Sequence, residues 1–161
     1  MALFGLLRSP SVSDPILGAL ARSRGYWRGR AALAAHRDLP LLIAGGREAP
    51  DSAALVLARE LPARYPTLQG EIGTALFEHY APYREAMDAG ELDEQSVRVA
   101  SGAEVWPHVT PVHVIVAPLD GRLTIEIGYA AAWDIEHTLG AHLADWRLLR
   151  LNGSVRRVAR S

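Results

Sequence analysis

The chain has 161 residues, of which 49% are hydrophobic and 22% charged, and its formal net charge is −1. This length suits one domain with a sizeable core, and the composition excludes a disordered chain. A net charge near zero gives no overall attraction to nucleic acid or to anionic lipid, so we expect neither as a partner. The absence of cysteine excludes disulfides, thiolate metal sites and a cysteine nucleophile.

Residues 1–8 are apolar apart from Arg8, but they lack the basic region and the small-residue cleavage site of a secretory signal. No apolar run approaches the roughly 18 residues that a membrane helix needs. All 17 basic residues are arginine, a bias that GC-rich bacterial codon usage explains. We therefore expect a bacterial, unexported protein that stays in the cytoplasm and does not span a membrane.

The sequence pattern of the N-terminal third predicts strands. Residues 1–15 contain two prolines and three serines and predict an irregular N-terminal arm. A β-hairpin is predicted over residues 16–33, with its turn near Arg24-Gly25. A third short strand is predicted over residues 39–43, because this apolar run is followed by two glycines.

Helical spacing follows the third strand. Pro50 and Asp51 suit a helix N-terminus, and apolar residues over 54–61 share one face of the predicted helix. Pro62 and Pro66 predict an end to that helix, with a second helix beginning near Thr67. The polar, acidic stretch 88–104 predicts a solvated connection.

The C-terminal third returns to an alternation of period two. Two strands flank Asp120-Gly121, which is a strong hairpin signal. A further strand pair is predicted over 139–143 and 147–151, and a basic polar tail over 156–161. The predicted order is therefore β-β-β-α-α-β-β-β-β. It indicates a single α+β domain over residues 16–155, with a mainly antiparallel sheet of five to seven strands and two helices packed on one face.

One polar segment follows the predicted hairpin. It holds Trp133, Glu136 and His137, with His142 five residues further on. Carboxylate and imidazole groups can ligate a metal or act as a general base. The spacing matches no metal motif, and the odd separation of His137 and His142 places them on opposite faces of a strand. We favour a structural interpretation, in which Trp133 packs on the sheet and the neighbouring polar residues bond the loop.

A second polar pair follows from the hairpin register. Counting outward from Asp120-Gly121 puts Glu126 opposite Ile115, and His113 opposite Gly128. His113 and Glu126 then share one face, within reach of each other, while Val114, Val116, Ile125 and Ile127 point into the core. We favour a cross-strand ion pair on a solvated face. The alternative is a concave binding face centred on the pair.

The pattern Trp133-x-x-Glu136-His137, followed by a hairpin and Asn152-Gly153-Ser154-Val155, resembles the C-terminal end of families of uncharacterised small bacterial proteins. Some relatives of those families are proposed to be immunity proteins of polymorphic toxin systems. The resemblance implies a β-rich bacterial domain that binds a protein, and it assigns no catalytic residue.

Our leading hypothesis is a non-enzymatic protein-binding module, immunity-like, with neither cofactor nor metal. No catalytic motif is present, and four tryptophans and five tyrosines supply the aromatic side chains that binding hot spots favour. One alternative is a small hydrolase or metal-dependent enzyme that uses Glu136, His137 and His142, or the His113–Glu126 pair. Another is a homo-oligomeric structural protein.

Overall fold

A computed structural model of the chain describes residues 8–92 and 97–154. Its strands form a single sheet in which the spatial order is the order along the chain. The strands are β1 (Ser11–Asp14), β2 (Gly18–Ser23), β3 (Tyr26–Leu33), β4 (His36–Ile43), β5 (Val109–Leu119), β6 (Arg122–Ala131), β7 (Asp134–Ala144) and β8 (Arg147–Gly153). Between β4 and β5 lie helix α1 (Ser52–Asp88) and two 3-10 turns, Gly102–Glu104 and Trp106–His108.

The sheet consists of two antiparallel four-stranded meanders joined side by side. β4 and β5 are parallel, and every other neighbouring pair is antiparallel. A parallel pair needs a long crossover, which α1 supplies. The turns at Arg24-Gly25 and Asp120-Gly121 have positive φ at both residues, as tight hairpins require. The predicted hairpins are present at these two turns and between β7 and β8.

The predicted fold class is wrong in its elements. The structure has an eight-stranded mixed sheet and, among the described residues, a single α-helix instead of two. β1 lies within the segment predicted as an irregular arm, and the parallel β4–β5 pair was not predicted. Residues 1–7 and the predicted basic tail lie outside the described residues.

Helix α1 continues through Pro62, Pro66 and Pro82 for 37 residues. A proline inside a helix costs about 3 kcal/mol, but each large apolar side chain that is buried contributes about 1.5–3 kcal/mol. Pro66 and Pro82 are exposed, so water can reach the carbonyl groups that they leave unpaired. The buried stripe keeps its helical phase through the first two prolines and comprises Ala54, Ala58, Leu61, Tyr65, Leu68, Ile72, Leu76, Tyr80 and Met87.

This stripe packs against one face of the sheet, which we call the first face. Val114, Val116, Ile125 and Ile127 are buried there, as the hairpin register predicted. The 3-10 turns lie on the same side, because Trp106 packs against Tyr129 and Gly102 against Gly73. The opposite, second face therefore carries neither α1 nor the turns. No helix in the described part of the chain has the length and apolarity to span a membrane.

Pro66→Ala should raise the free energy of unfolding by about 1–3 kcal/mol. Alanine restores the missing backbone N–H and removes the clash with the preceding turn, while the more flexible unfolded chain offsets part of the gain. Urea unfolding of both proteins measures the change, with Pro10→Ala, outside the helix, as control. No gain at Pro66 would mean that the helix is interrupted there.

Candidate functional site

A single cross-strand row crosses the second face. Residues that pair directly across a ladder point to the same side of the sheet. The strand register therefore places eight side chains in line, namely Ser11, Ala21, Arg28, Leu42, Ile115, Glu126, His142 and Arg150. The row has an arginine toward each end, two apolar residues in the middle and an acid–imidazole pair in its C-terminal half.

Glu126 is the centre of a hydrogen-bonded network on this face. His113 Nε2 lies 2.8 Å from Glu126 Oε1, and His142 Nε2 lies 2.9 Å from Oε2. The Ser154 hydroxyl donates to Oε1 as well. Because an ionised carboxylate only accepts, both imidazoles donate through Nε2. We call Glu126, His113, His142 and Ser154 the carboxylate network.

The predicted hairpin register is confirmed, because Ile115 pairs with Glu126 and His113 with Gly128. The predicted solvated environment is wrong, since His113 is 4% exposed and Glu126 3%. Gly128 and Gly140, paired across β6 and β7, explain the close packing. A Cβ atom on Gly128 would overlap the His113 ring, and one on Gly140 would lie 3.2 Å from Glu126 Cδ. Both side chains thus lie against bare backbone.

The electrostatics of Glu126 follow from burial and from its donors. Burial raises the pKa of this carboxyl. The hydrogen bonds from His113, His142 and Ser154 lower it by a larger amount, and the resulting pKa is about 2. Such a weak base is unsuited to proton abstraction near neutral pH. The serine hydroxyl points at the carboxylate, so the network is not a serine–histidine relay. Among the described residues, buried His142 Nδ1 has no hydrogen-bond partner.

A second cluster lies where β7 begins, against α1. His137 Nδ1 lies 2.8 Å from Asp134 Oδ1, and His79 Nε2 lies 3.9 Å from Asp134 Oδ2. Trp133 Nε1 donates to His79 Nδ1 at 3.1 Å. Tyr83 bonds Asp134 from the next turn of the helix. We call His79, Tyr83, Trp133, Asp134 and His137 the loop cluster.

The surroundings in the loop cluster favour the charged form of Asp134 and the neutral form of His79. Burial raises the pKa of Asp134, but the bonds from His137 and Tyr83 lower it below its usual range. Burial depresses the pKa of His79, with Asp134 opposing and His137 adding to that effect. Since Trp133 donates to Nδ1, neutral His79 carries its hydrogen on Nε2, toward Asp134. In the described ranges, no three or more histidine, aspartate or glutamate side chains are placed to hold a metal ion.

The structure separates the residues that the sequence singled out. Trp133 and His137 belong to the loop cluster, Glu136 is exposed beside it, and His142 belongs to the carboxylate network. The side chain of His137 is 67% exposed and that of His142 1%, so no single site uses both. Sequence reasoning missed His79, Tyr83, Asp134 and Ser154. His79 and Tyr83 are one helical turn apart, and this spacing could have indicated that their side chains share one face of the helix.

Comparison with known families places the chain. A family described as Domain of unknown function (DUF6985) matches residues 16–155. The chain belongs to this family. The match spans both the carboxylate network and the loop cluster, up to Val155 after Ser154. Comparison with curated proteins and with solved structures gave no match.

Acidification should destabilise the protein through Glu126. The folded pKa of about 2 lies below the ordinary glutamate value of 4.5, so this carboxylate contributes about 3 kcal/mol above pH 4.5 and loses the contribution as the pH falls toward 2. Between pH 7 and pH 3 we expect a loss of about 2 kcal/mol from this group. Urea unfolding at both pH values measures it.

Glu126→Gln is the matched variant for this measurement. It is less stable at pH 7 and should lose about 2 kcal/mol less on acidification. Asp14, whose pKa is also about 2 because of its hydrogen bonds with Arg59, titrates in the same window. It is present in both proteins, so the difference between them reports Glu126. Equal losses in the two proteins would contradict the assignment.

Trp133→Ala should lower the free energy of unfolding by about 3–5 kcal/mol. The indole is buried, meets the Tyr80 ring edge-on at 5.4 Å and donates to His79. Trp133→Phe, which keeps a ring and loses only the N–H and some volume, should cost less. Thermal melts compare the three proteins. An unchanged melting temperature for the alanine variant would show that the indole is not part of the core.

Proposed function

We propose that this protein is a non-enzymatic protein-binding module that holds an extended segment of another protein along β8. The observation that carries the proposal is an open groove of about 350 Å³ between α1 and β8, lined by Ala75, Glu78, His79 and Leu148, Leu149, Arg150 and Leu151. β8 is the last strand in the sheet of the described chain, so the groove lies beside an open edge.

Within residues 8–92 and 97–154, the contact that protects the edge of β8 lies where the strand begins. Glu71, on α1, accepts from the Leu148 backbone N–H at 2.9 Å and from Arg147 Nε at 2.7 Å. Beyond this contact the strand continues to Gly153, and most of its side chains are exposed. An open strand edge can pair with an added strand, whose alternate side chains then enter an adjoining groove.

Apolar side chains extend this surface. Leu149 is 48% exposed, and Ile135, at the start of β7, is 90% exposed. Ile135 follows Asp134, which faces His79, and His79 lines the groove. Ile135 is therefore one residue from the loop cluster, of which His79 lines the groove. Exposed apolar groups beside a polar rim are characteristic of protein interfaces.

The geometry gives less support to the enzyme and oligomer alternatives. Glu126 is a poor base, and both imidazoles of the carboxylate network use Nε2 to hold it. For a homo-oligomer, β8 carries two arginines and no acidic residue, so pairing two copies along this edge brings like charges together. A foreign segment with apolar residues and a carboxylate suits the edge better. A toxin domain would be such a partner if the resemblance to immunity proteins extends to function.

Site-specific photo-crosslinking in the native host tests the proposal. A photoreactive residue at Ile135 or at Leu149 should form adducts with the same foreign polypeptide, identified by mass spectrometry. Val56, exposed on α1 away from the groove, is the matched control position and should not form them. Leu149→Glu should remove the Ile135 adduct. Adducts formed only between copies of this chain, or equally at Val56, would contradict the proposal.

A further inference from the structure

One hydrogen bond of the loop cluster depends on an unprotonated imidazole nitrogen. His79 Nδ1 accepts from Trp133 Nε1 at 3.1 Å, and a ring nitrogen accepts only while it carries no hydrogen. The side chains of His137 and Tyr83 instead donate to the Asp134 carboxylate. His137 Nδ1 carries a hydrogen in that bond whether its ring is neutral or charged. Protonation of the cluster therefore breaks a specific bond, the one between α1 and the turn that joins β6 to β7.

The charged form of His79 has another partner. Asp134 Oδ2 lies 3.9 Å from His79 Nε2, which is beyond hydrogen-bond distance but close enough for an ion pair once the ring is charged. Burial lowers the pKa of His79, the charge of Asp134 opposes this effect, and His137 adds to it. The other titratable or charged side chains around this ring are Glu78 and Tyr83 on α1, Glu136 on β7 near Tyr83, and Arg150 on β8, which lines the same groove.

The bond to His79 holds a turn that carries an exposed apolar residue. Ala132 and Trp133 form the two-residue turn between β6 and β7, and Ile135, which is 90% exposed, follows. Trp133 is buried, so leaving its N–H without an acceptor, opposite a protonated ring, costs free energy. The position of the turn, and of Ile135 with it, therefore depends on the charge of His79.

We propose that His79 is a pH-sensitive switch for the binding surface beside α1. The neutral ring holds Trp133 and orders the turn before Ile135, whereas the charged ring moves toward Asp134 and releases the turn. The effect on binding rests on the proposed function, because Ile135 and the groove belong to the proposed partner surface. The switch itself is a property of the free protein. Because the pKa of His79 lies below its ordinary value of 6.5, the turn is ordered at neutral pH and released in mild acid.

NMR of the free, full-length chain between pH 7.5 and pH 5 tests the switch. One reporter is the resonance of Trp133 Nε1–H, and the other is the exchange protection of the Ala132 amide, which donates to the His108 carbonyl at 2.9 Å. Both should follow the titration of His79. After correction for the intrinsic pH dependence of exchange, the protection of Ala132 should fall about tenfold. The carboxylates with a pKa of about 2 do not titrate in this range.

His79→Asn and His137→Asn are a matched pair of variants. Asparagine at position 79 keeps an acceptor for Trp133 and gains no proton, so both reporters should stay constant between pH 7.5 and pH 5. Asparagine at position 137 keeps a donor toward Asp134 and removes the other titrating ring, so the response should persist. A response retained in His79→Asn or lost in His137→Asn would overturn the proposal. In the unmodified protein, so would a Trp133 resonance that ignores the titration of His79, or a His79 ring that stays neutral down to pH 5.

Photo-crosslinking in a lysate of the native host separates the switch from the proposed function. Adducts formed through Ile135 should fall about tenfold from pH 7.5 to pH 5, and His79→Asn should keep them at both pH values. Equal yields at the two pH values in the unmodified protein would overturn the control of binding by His79. An NMR response without foreign adducts at either pH would contradict the proposed function and support the switch in the free protein.

Discussion

The buried carboxylate of Glu126 is the interaction on which the second face depends. A charge taken out of water is costly unless donors surround it, and here two imidazoles and a hydroxyl do so. The three donors come from β5, from β7 and from the residue that follows β8, so one side chain on β6 adds cross-links throughout the C-terminal meander. Gly128 and Gly140 are needed because the His113 ring and the Glu126 side chain lie against the strands. The same contacts fix the ring of His142 on the second face.

The two faces of the sheet are stabilised by different kinds of interaction. The first face is apolar and covered by a helix whose buried stripe outweighs three interior prolines. Its polar contacts include the buried hydroxyl pair of Tyr65 and Tyr129 and, further along α1, the bond from Trp133 Nε1 to His79. The second face has a row of side chains that is apolar in the middle and charged toward its ends, with no helix in the described chain lying over it. A surface of this kind can present polar groups that are already oriented, which reduces the ordering cost of binding.

Local chemistry made part of this structure predictable. Asp120-Gly121 determined the register of its hairpin, and that register put His113 beside Glu126. Alternation shows which residues share a face but not how closely they pack, and therefore the solvated environment was wrongly expected. Ser154 is 28 residues from Glu126, and His79 is 54 residues from Trp133, so neither contact leaves a local pattern. At the helix, the penalty for Pro62 and Pro66 was given more weight than the unbroken spacing of Leu61, Tyr65 and Leu68, which was the better signal.

The irregular pairing of β8 explains how side chains of one strand border two openings. Arg150 pairs with His142 and Leu148 with Leu143, so Leu149 is an extra residue that forms a β-bulge. A bulge interrupts the strict alternation of side chains, and Leu149 and Arg150 both border the groove beside α1 and a second opening of about 190 Å³ on the other side of β8. The bulge also disturbs the free edge just where Glu71 protects it, which discourages indiscriminate strand pairing. The open part of β8 is thereby limited to its second half, between a guanidinium and a glycine, where a partner strand would meet both the groove and Arg150.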